Sequence, residues 1–195
     1  MAQPAPAFER YFDDDVVAVA RRLVGAMLLV DGVGGRIVET EAYAPNEAAS
    51  HSFRGPTKRN RAMFGPPGTV YVYRIYGIHW CLNFVCRPGH AVLIRALVPT
   101  QGLDLMAARR GLDDPRLLCA GPGRLSQALA VDARLDGTDL GTAPFSFAPA
   151  PVEGPLVTGP RIGITKAVDL PWRFGVPNSK FLSRPFKTER PLTAK

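Results

Sequence analysis

Hydrophobic and polar residues recur along this chain with two different periods. Residues 14–23 carry apolar side chains at helical spacing, which predicts a helix with Asp13 or Asp14 as its N-cap. The period then shortens to two in residues 26–30 and 36–43, which flank a Gly-rich turn. The pattern therefore predicts a helix followed by a β-hairpin.

The rest of the chain is predicted to contain further strands, loops and short helices. A second hairpin has its tip near Tyr76 and Gly77, because glycine permits a tight turn there. The predicted elements after the first hairpin are strands at 70–76, 78–85, 91–99, 161–164 and 172–176, and helices at 100–110 and 122–130. The Pro-rich stretch from 131 to 159 is weakly specified, and no internal repeat or domain boundary stands out.

One predicted strand carries an unusual combination of side chains. Because successive side chains of a strand point to opposite faces, Glu39, Glu41 and Tyr43 share one face. Each feature alone has an ordinary interpretation, since a glutamate in a strand is usually exposed and tyrosine favours strands. Together they indicate a functional surface, but the pattern alone does not choose between Glu39 and Glu41.

The charge of the chain narrows the choice of partners. Its 195 residues include 24 Lys plus Arg and 17 Asp plus Glu, a formal net charge of +7. Such an excess favours polyanions, with nucleic acid as the leading partner and an anionic membrane surface as the second. There is no apolar run near the ~20 residues that span a bilayer, and the N-terminus does not resemble a signal peptide. We therefore expect a soluble intracellular protein of one domain.

Cysteine and histidine do not occur here in metal-binding patterns. The three cysteines form no Cys-x-x-Cys pair, and the three histidines form no His-Glu-x-x-His motif. We therefore expect no metal site and no disulfide framework, and we expect Cys81 and Cys86 to pack in the interior.

An enzyme that acts on a base in DNA needs four kinds of group, and this chain offers all of them. Cations for phosphates occur in the loop 44–67, and the helix start at 121–123 offers backbone N–H groups. Aromatic side chains could provide a wedge and a base pocket, and a carboxylate could act at the sugar. The candidates are Lys58, Arg59, Arg61 and Gly123 for phosphates, Tyr76 for the wedge, and Tyr43, Tyr73 and His51 for the pocket. Arg95 lies in the middle of a predicted strand, so it should be paired or functional.

Several segments together resemble the 3-methyladenine (alkyladenine) DNA glycosylase family. The resemblance is close from about residue 12 to 131 and looser from 161 to 183. The segments are Gly35-Arg-Ile-Val-Glu-Thr-Glu-Ala-Tyr43, Glu47-Ala-Ala-Ser-His51, Arg59-Asn-Arg-Ala-Met-Phe64, Pro67-Gly-Thr-Val-Tyr-Val-Tyr73, Ile75-Tyr-Gly77, Leu93-Ile-Arg-Ala-Leu97 and Gly121-Pro-Gly-Arg-Leu-Ser-Gln-Ala-Leu129.

The resemblance implies an α+β (mixed) fold, a single domain with a curved antiparallel β-sheet flanked by helices and a protruding β-hairpin. It implies no metal and no organic cofactor. We expect a flexible N-terminus at 1–11, a DNA glycosylase domain at 12–183 and a basic C-terminal tail at 184–195. The expected partner is double-stranded DNA that contains damaged purines, and the expected state is a monomer. The expected location is cytoplasmic, and nucleoid-associated in a bacterium.

Site residues also follow from the resemblance, position by position. Glu41 matches the general base, and Arg95 lies beside the catalytic water. Tyr43 and Tyr73 match the stacking walls of the pocket, and His51 contacts the flipped base. Asn83 matches a residue that discriminates against guanine, and Tyr76 matches the intercalating wedge. In animal members the histidine segment lacks the Ser that intervenes here before His51.

The implied reaction is hydrolysis of an N-glycosidic bond in a flipped, alkylated or deaminated purine nucleotide. No lysine matches a pocket position, which predicts a monofunctional enzyme that leaves an abasic site uncut. One alternative is a catalytically silent nucleic-acid-binding module with the same basic surface. A membrane-surface protein is another, but the chain lacks a convincing basic amphipathic helix.

Overall fold

The computed structural model describes residues 7–150 and 154–186. Within them the helices are α1 (Ala7–Phe12), α2 (Val16–Leu23), α3 (Leu103–Arg110), α4 (Pro115–Leu118) and α5 (Pro122–Ala128), with 3-10 helices at Arg61–Phe64 and Ala133–Leu135. The strands are β1 (Met27–Val30), β2 (Val33–Tyr43), β3 (Val70–Ile75), β4 (His79–Val85), β5 (Ala91–Gln101), β6 (Phe145–Ala148), β7 (Val157–Gly159) and β8 (Arg173–Gly175). No helix in this part of the chain is long and apolar enough to cross a membrane.

All the described strands join one curved antiparallel sheet, whose main order is β3-β4-β5-β2-β1-β6. Strand β2 lies at its centre and pairs with β5 along one edge. Its other edge pairs first with β1 and then with β8, so the sheet branches at β2. The α+β fold with a curved antiparallel sheet and flanking helices is therefore confirmed.

Helix α2 covers the face of β2 that lies opposite the two glutamates. Its N-cap is Asp15, one residue later than expected, because this carboxylate accepts the backbone N–H groups of Val17 and Ala18. Its apolar residues are buried, and the hydroxyl of Thr40 donates to the carbonyl of Ala20 at 2.8 Å. The predicted alternation of β2 is thus present, with Thr40 on the helix side.

Three register shifts interrupt the pairing of β2 with β5, and two of them flank Glu39. Ile37 lies opposite Leu97, but Glu39 lies opposite Ala96 and the register shifts again at the next pair. Val38 on β2 and Arg95 on β5 therefore have no partner across this ladder. A bulge can re-aim a side chain next to a functional site, and here it places Arg95 beside the carboxylates of β2.

The two ends of the described chain are more ordered than expected. Residues 7–11, which we expected to be flexible, belong to α1, where Phe8 and Phe12 pack against Phe147 with ring centroids 6.0 and 5.5 Å away. At the other end Phe186 packs over the guanidinium of Arg173. Residues 1–6 and 187–195 lie outside the described residues, so most of the expected tail does as well.

Two other expectations about late elements need correction. The strand predicted at 161–164 is wrong, because the backbone N–H of Ile162 donates to the carboxylate of Glu41 rather than to a neighbouring strand. The helix predicted from residue 100 begins at Leu103, since β5 continues to Gln101 and Gly102 adopts a left-handed conformation with φ of 71°. Strand β8 does form inside the predicted range 172–176.

Candidate active site

A cavity of about 540 Å³ opens beside β2, β3, β4 and β5. Residues that the sequence analysis selected and that line it are Tyr43, His51, Tyr73, Tyr76, Asn83, Arg95 and Gly123. The other lining residues are Ala48, Ala49, Met63, Tyr71, Ile75, His79, Cys81, Ala91, Leu93, Pro122, Ile162, Gly163, Ile164, Thr165, Lys166 and Arg184. The structure therefore brings residues from distant parts of the sequence, between Tyr43 and Arg184, to one cavity.

Glu41 lies directly beneath the cavity wall and is 0% exposed. Its Oε2 accepts the Tyr43 hydroxyl at 2.8 Å and lies 3.2 Å from Nη1 of Arg95. Its Oε1 accepts the backbone N–H of Ile162 at 2.7 Å. All three partners line the cavity, so only these residues separate the carboxylate from the cavity.

Arg95 bridges two buried carboxylates. Its Nε is 3.1 Å from Oε1 of Glu39, while Nη1 faces Glu41. Arg173 also binds Glu39, with its Nε 2.6 Å from Oε1. Burial lowers the pKa of Arg95, but the two carboxylates outweigh this effect and the net direction is upward. Two anions and two cations thus compensate one another inside the protein, as buried charges require.

Tyr43 is held between Glu41 and a buried arginine. Burial, followed by the charge of Glu41, raises the pKa of the Tyr43 hydroxyl well above 10, so this group remains a donor. The guanidinium of Arg161 lies 4.6 Å from the Tyr43 ring centroid and 5.5 Å from that of Trp172. Arg161 also makes a two-pronged ion pair with Glu47 at 2.7 and 2.9 Å. These contacts fix the orientation of the Tyr43 ring.

His51 packs against the aromatic residues of β3. Its ring centroid is 4.5 Å from that of Tyr73 at an interplanar angle of 72°, and its Nδ1 is 2.9 Å from the Tyr71 hydroxyl. Partial burial, and then the charge of Arg59, lowers the pKa of His51 from 6.5. The side chain of Asn60 donates to the carbonyl of His51 at 2.8 Å. The loop that contains His51 is therefore tied to the cavity despite the extra Ser.

Asn83 is buried on β4 with its amide group oriented by the backbone. Its Nδ2 donates to the carbonyl of Tyr71 at 3.0 Å and to that of Cys81 at 3.3 Å. The two bulky neighbours of Asn83 lie elsewhere: Phe84 is in the core against Phe12, and Trp80 lies beneath Arg74. Neither of them lines the cavity.

The tip of the β3–β4 hairpin presents a tyrosine to solvent. Tyr76 is 79% exposed, and Ile78 is 68% exposed. Tyr76 and Gly77 both have positive φ, 53° and 69°, as in the type I′ turns that suit hairpins. Glycine adopts this conformation without strain, whereas a tyrosine in it is uncommon.

The basic residues of the loop 44–67 lie outside the cavity wall. Lys58, Arg59 and Arg61 are exposed, and Arg59 donates to the carbonyl of Arg74 at 3.0 Å, which links this loop to the hairpin. Gly123 does line the cavity. A Cβ atom there would lie 2.9 Å from Cγ of His79, so the close approach of α5 to β4 requires glycine.

Sequence reasoning missed several residues at the site. Ile162, Lys166 and Arg184 come from the region after residue 160, where the motifs are sparse. Lys166 thus lines the cavity at a position that the resemblance did not match to the pocket. Cys81 lines the cavity as well as packing in the interior. Arg161 was also missed, although an arginine in an apolar stretch of sequence is a signal that could have identified it. Among the described residues, no group of three or more His, Cys, Asp or Glu side chains could hold a metal ion.

Comparison with known proteins identifies the family. The family model described as methylpurine-DNA glycosylase matches residues 10–180. The chain belongs to the methylpurine-DNA glycosylase family. A protein of Nitrosospira multiformis named "Putative 3-methyladenine DNA glycosylase" is 58% identical over 190 residues, which cover 96% of this chain and 97% of the relative. Proteins with the same name from Rhizobium johnstonii and Rhizobium meliloti are 58% and 59% identical and cover 93% and 90% of this chain, and 91% and 95% of their own length.

Membership of this family establishes the class of reaction. The chain is a DNA glycosylase of base excision repair, an enzyme that hydrolyses the N-glycosidic bond between a base and its sugar. DNA is accordingly its substrate.

Proposed function

We propose that this chain is a monofunctional glycosylase that takes an alkylated or deaminated purine from double-stranded DNA into the cavity and leaves an abasic site. The observation that carries this proposal is the position of Glu41, a fully buried carboxylate whose partners all line the cavity. A base that leaves a stacked duplex needs an enclosing pocket, and the nucleotide must be flipped to reach it.

Glu41 would act as the general base. A carboxylate has about four lone-pair sites, and Tyr43, Arg95 and Ile162 occupy three of them, which leaves one for a water. That water would lose a proton to Glu41 as it attacks C1′ of the flipped nucleotide. A base must lie within hydrogen-bond reach of the proton it takes, so the water would have to reach the Glu41 carboxylate between the three partners that line the cavity.

The flipped purine would lie among the aromatic side chains of the cavity. Tyr43 and Tyr73 come from different strands and provide two flat surfaces, which attract a positively charged alkylated base as well as stack on it. His51 would contact the base edge. Asn83 uses its amide N–H groups on the backbone, which fixes the side chain at the position that would discriminate against guanine.

The hairpin and the loop 44–67 would hold the duplex. Tyr76 is the most exposed large apolar side chain described, and it would fill the gap that the flipped nucleotide leaves. Lys58, Arg59 and Arg61 would contact phosphates, since all three are exposed beside the hairpin. The backbone at Gly123 would add a contact at the cavity rim.

We also infer that the enzyme leaves the abasic strand uncut. Lys166 lines the cavity, but in the described residues no lysine is hydrogen-bonded or ion-paired to Glu41. A borohydride-trapped adduct with DNA would contradict this inference, and Lys166→Ala would then test the origin of the adduct. We further propose that the glycosylase domain includes residues 12–183, that the protein is a monomer, and that it acts in the cytoplasm, at the nucleoid in a bacterium.

The experiment that tests the proposal is single-turnover excision from duplexes that contain hypoxanthine, ethenoadenine or methylated purines, with alkali to reveal abasic sites. Wild type should release at least one of these bases, and Glu41→Gln should bind the same duplex without releasing it. Equal release by both proteins would show that Glu41 is not the general base. Binding without release by wild type would instead support the catalytically silent module.

A further inference from the structure

We propose that Glu39 and Ser183 are positioning residues that hold Arg95 against Glu41, so that the segment at 183–186 completes the active site. This inference rests on the proposed function, in which Glu41 activates water. In the described part of the chain neither residue is hydrogen-bonded to Glu41, and each would act through Arg95.

Glu39 is a buried anion that the proposed reaction does not use. It is 0% exposed, and its Oε1 accepts from Nε of Arg95 at 3.1 Å and Nε of Arg173 at 2.6 Å. Its Oε2 accepts the backbone N–H of Ser183 at 2.5 Å. A charge this deep is costly unless it is paired and hydrogen-bonded. The contacts of Glu39 orient the arginine that lies beside Glu41.

Ser183 links the anion to the guanidinium. Its Oγ donates to Oε1 of Glu39 at 2.7 Å and accepts from Nη2 and Nε of Arg95 at 3.1 and 3.3 Å. The guanidinium is planar and its donors form a rigid fork. Because one edge of the group is clamped by Glu39 and Ser183, the remaining nitrogen, Nη1, is directed at Glu41.

The segment that carries Ser183 is itself fastened to β8. Nη2 of Arg173 donates to the carbonyl of Arg184, and the Arg173 Cζ lies 3.9 Å from the ring centroid of Phe186. Gly175 leaves room for that ring, since a Cβ there would lie 2.7 Å from Cε2 of Phe186. Arg184 also lines the cavity. Residues 183–186 therefore lie against the cavity and hold Arg95 from its far side.

The test compares three variants of the full chain. Ser183→Ala removes the hydroxyl and Ser183→Thr keeps it. Ser179→Ala makes the same change four residues before the segment, where the hydroxyl accepts the N–H of Phe181. The measurements are the single-turnover excision rate, the affinity for duplex with an abasic site, and the midpoint of thermal unfolding. We expect Ser183→Ala to lower the rate about tenfold, the size of one lost charge-assisted hydrogen bond, with affinity unchanged. Ser183→Thr should recover most of the rate, and Ser179→Ala should match wild type.

The outcomes separate this inference from the proposed function. Equal rates for Ser183→Ala and wild type, beside a loss in Glu41→Gln, would overturn the positioning role alone. Absence of release by wild type on every lesion would overturn both proposals. A parallel fall of rate, affinity and unfolding midpoint in Ser183→Ala would show a structural residue and would also overturn the inference.

Discussion

The hydroxyl of Tyr43 donates a hydrogen bond of 2.8 Å to Oε2 of Glu41, two residues earlier on the same face of β2. The Tyr43 ring thus lines the cavity while its hydroxyl is hydrogen-bonded to the carboxylate. The two roles can be separated by experiment, because phenylalanine keeps the ring and loses the donor.

Tyr43→Phe should slow excision while base binding persists. The lost bond is to a charged and buried acceptor, worth about 1.5–3 kcal/mol, so the single-turnover rate should fall by about tenfold to a hundredfold. Tyr11→Phe is the matched control, since the Tyr11 hydroxyl donates to the carbonyl of Arg22 away from the cavity. A rate equal to wild type would show that this bond does not support catalysis.

Tyr76→Ala should weaken binding to DNA in which a nucleotide is flipped out of the duplex. The side chain is 79% exposed, so its removal should leave the unfolding midpoint unchanged. Affinity for a duplex with an abasic site should fall by about tenfold or more, since stacking on a base is worth about 1–3 kcal/mol. Val168→Ala, another exposed apolar residue, serves as the control. Unchanged affinity and excision in Tyr76→Ala would exclude the wedge.

The stability of the protein should depend on His51 in mildly acidic solution. Because the folded-state pKa of His51 lies below 6.5, the unfolded chain binds the proton more readily. Neutral His51 therefore contributes stability that is full above pH 6.5 and is lost as the pH falls through the folded-state pKa. Urea unfolding of wild type and His51→Gln should converge between about pH 7 and about pH 5. Parallel curves would contradict this expectation, and His90→Gln supplies the control.

The pair of Arg161 and Glu47 should be required for folding as well as for the pocket. Its atoms are buried, so Arg161→Met should lower the free energy of unfolding by about 3–5 kcal/mol because Glu47 is left unpaired. The double variant Arg161→Met with Glu47→Gln should lose less than the sum of the single variants in urea denaturation. Additive losses would mean that the two residues act independently. The exposed pair of Arg134 and Asp132 is the control, and its disruption should have little effect.

The sequence predicted the elements of the sheet better than their details. A period of two located β2, and runs rich in apolar and aromatic residues between Gly and Pro located β3, β4 and β5. The bulges at Val38 and Arg95 carry no local signal, since they follow from how two strands meet. Helix α1 was missed because its stability comes from contacts with Phe147, more than a hundred positions away in sequence.

For the site, the motifs selected cavity residues that lie in the first half of the chain. Tyr43 and Tyr73 were candidates from their residue type, Asn83 was added by the family resemblance, and the structure places all three at one cavity. Ser183 and Ile162 could not be found in this way, because their roles depend on contacts across 144 and 121 positions. Their residue types are common and reveal nothing until the chain is folded.

The two bulges that flank Glu39 limit which insertions and deletions β2 and β5 can tolerate. Val38 and Arg95 each add one residue to their strand, so the register beyond them depends on both. The two extra residues lie on opposite strands and cancel each other, since Ile37 with Leu97 before them and Thr40 with Ile94 after them keep the same register. Deletion of the single codon for Val38 would leave Arg95 as an extra residue without its counterpart, so we expect changes of length to be tolerated better in the loop that contains Lys58 than at these two positions.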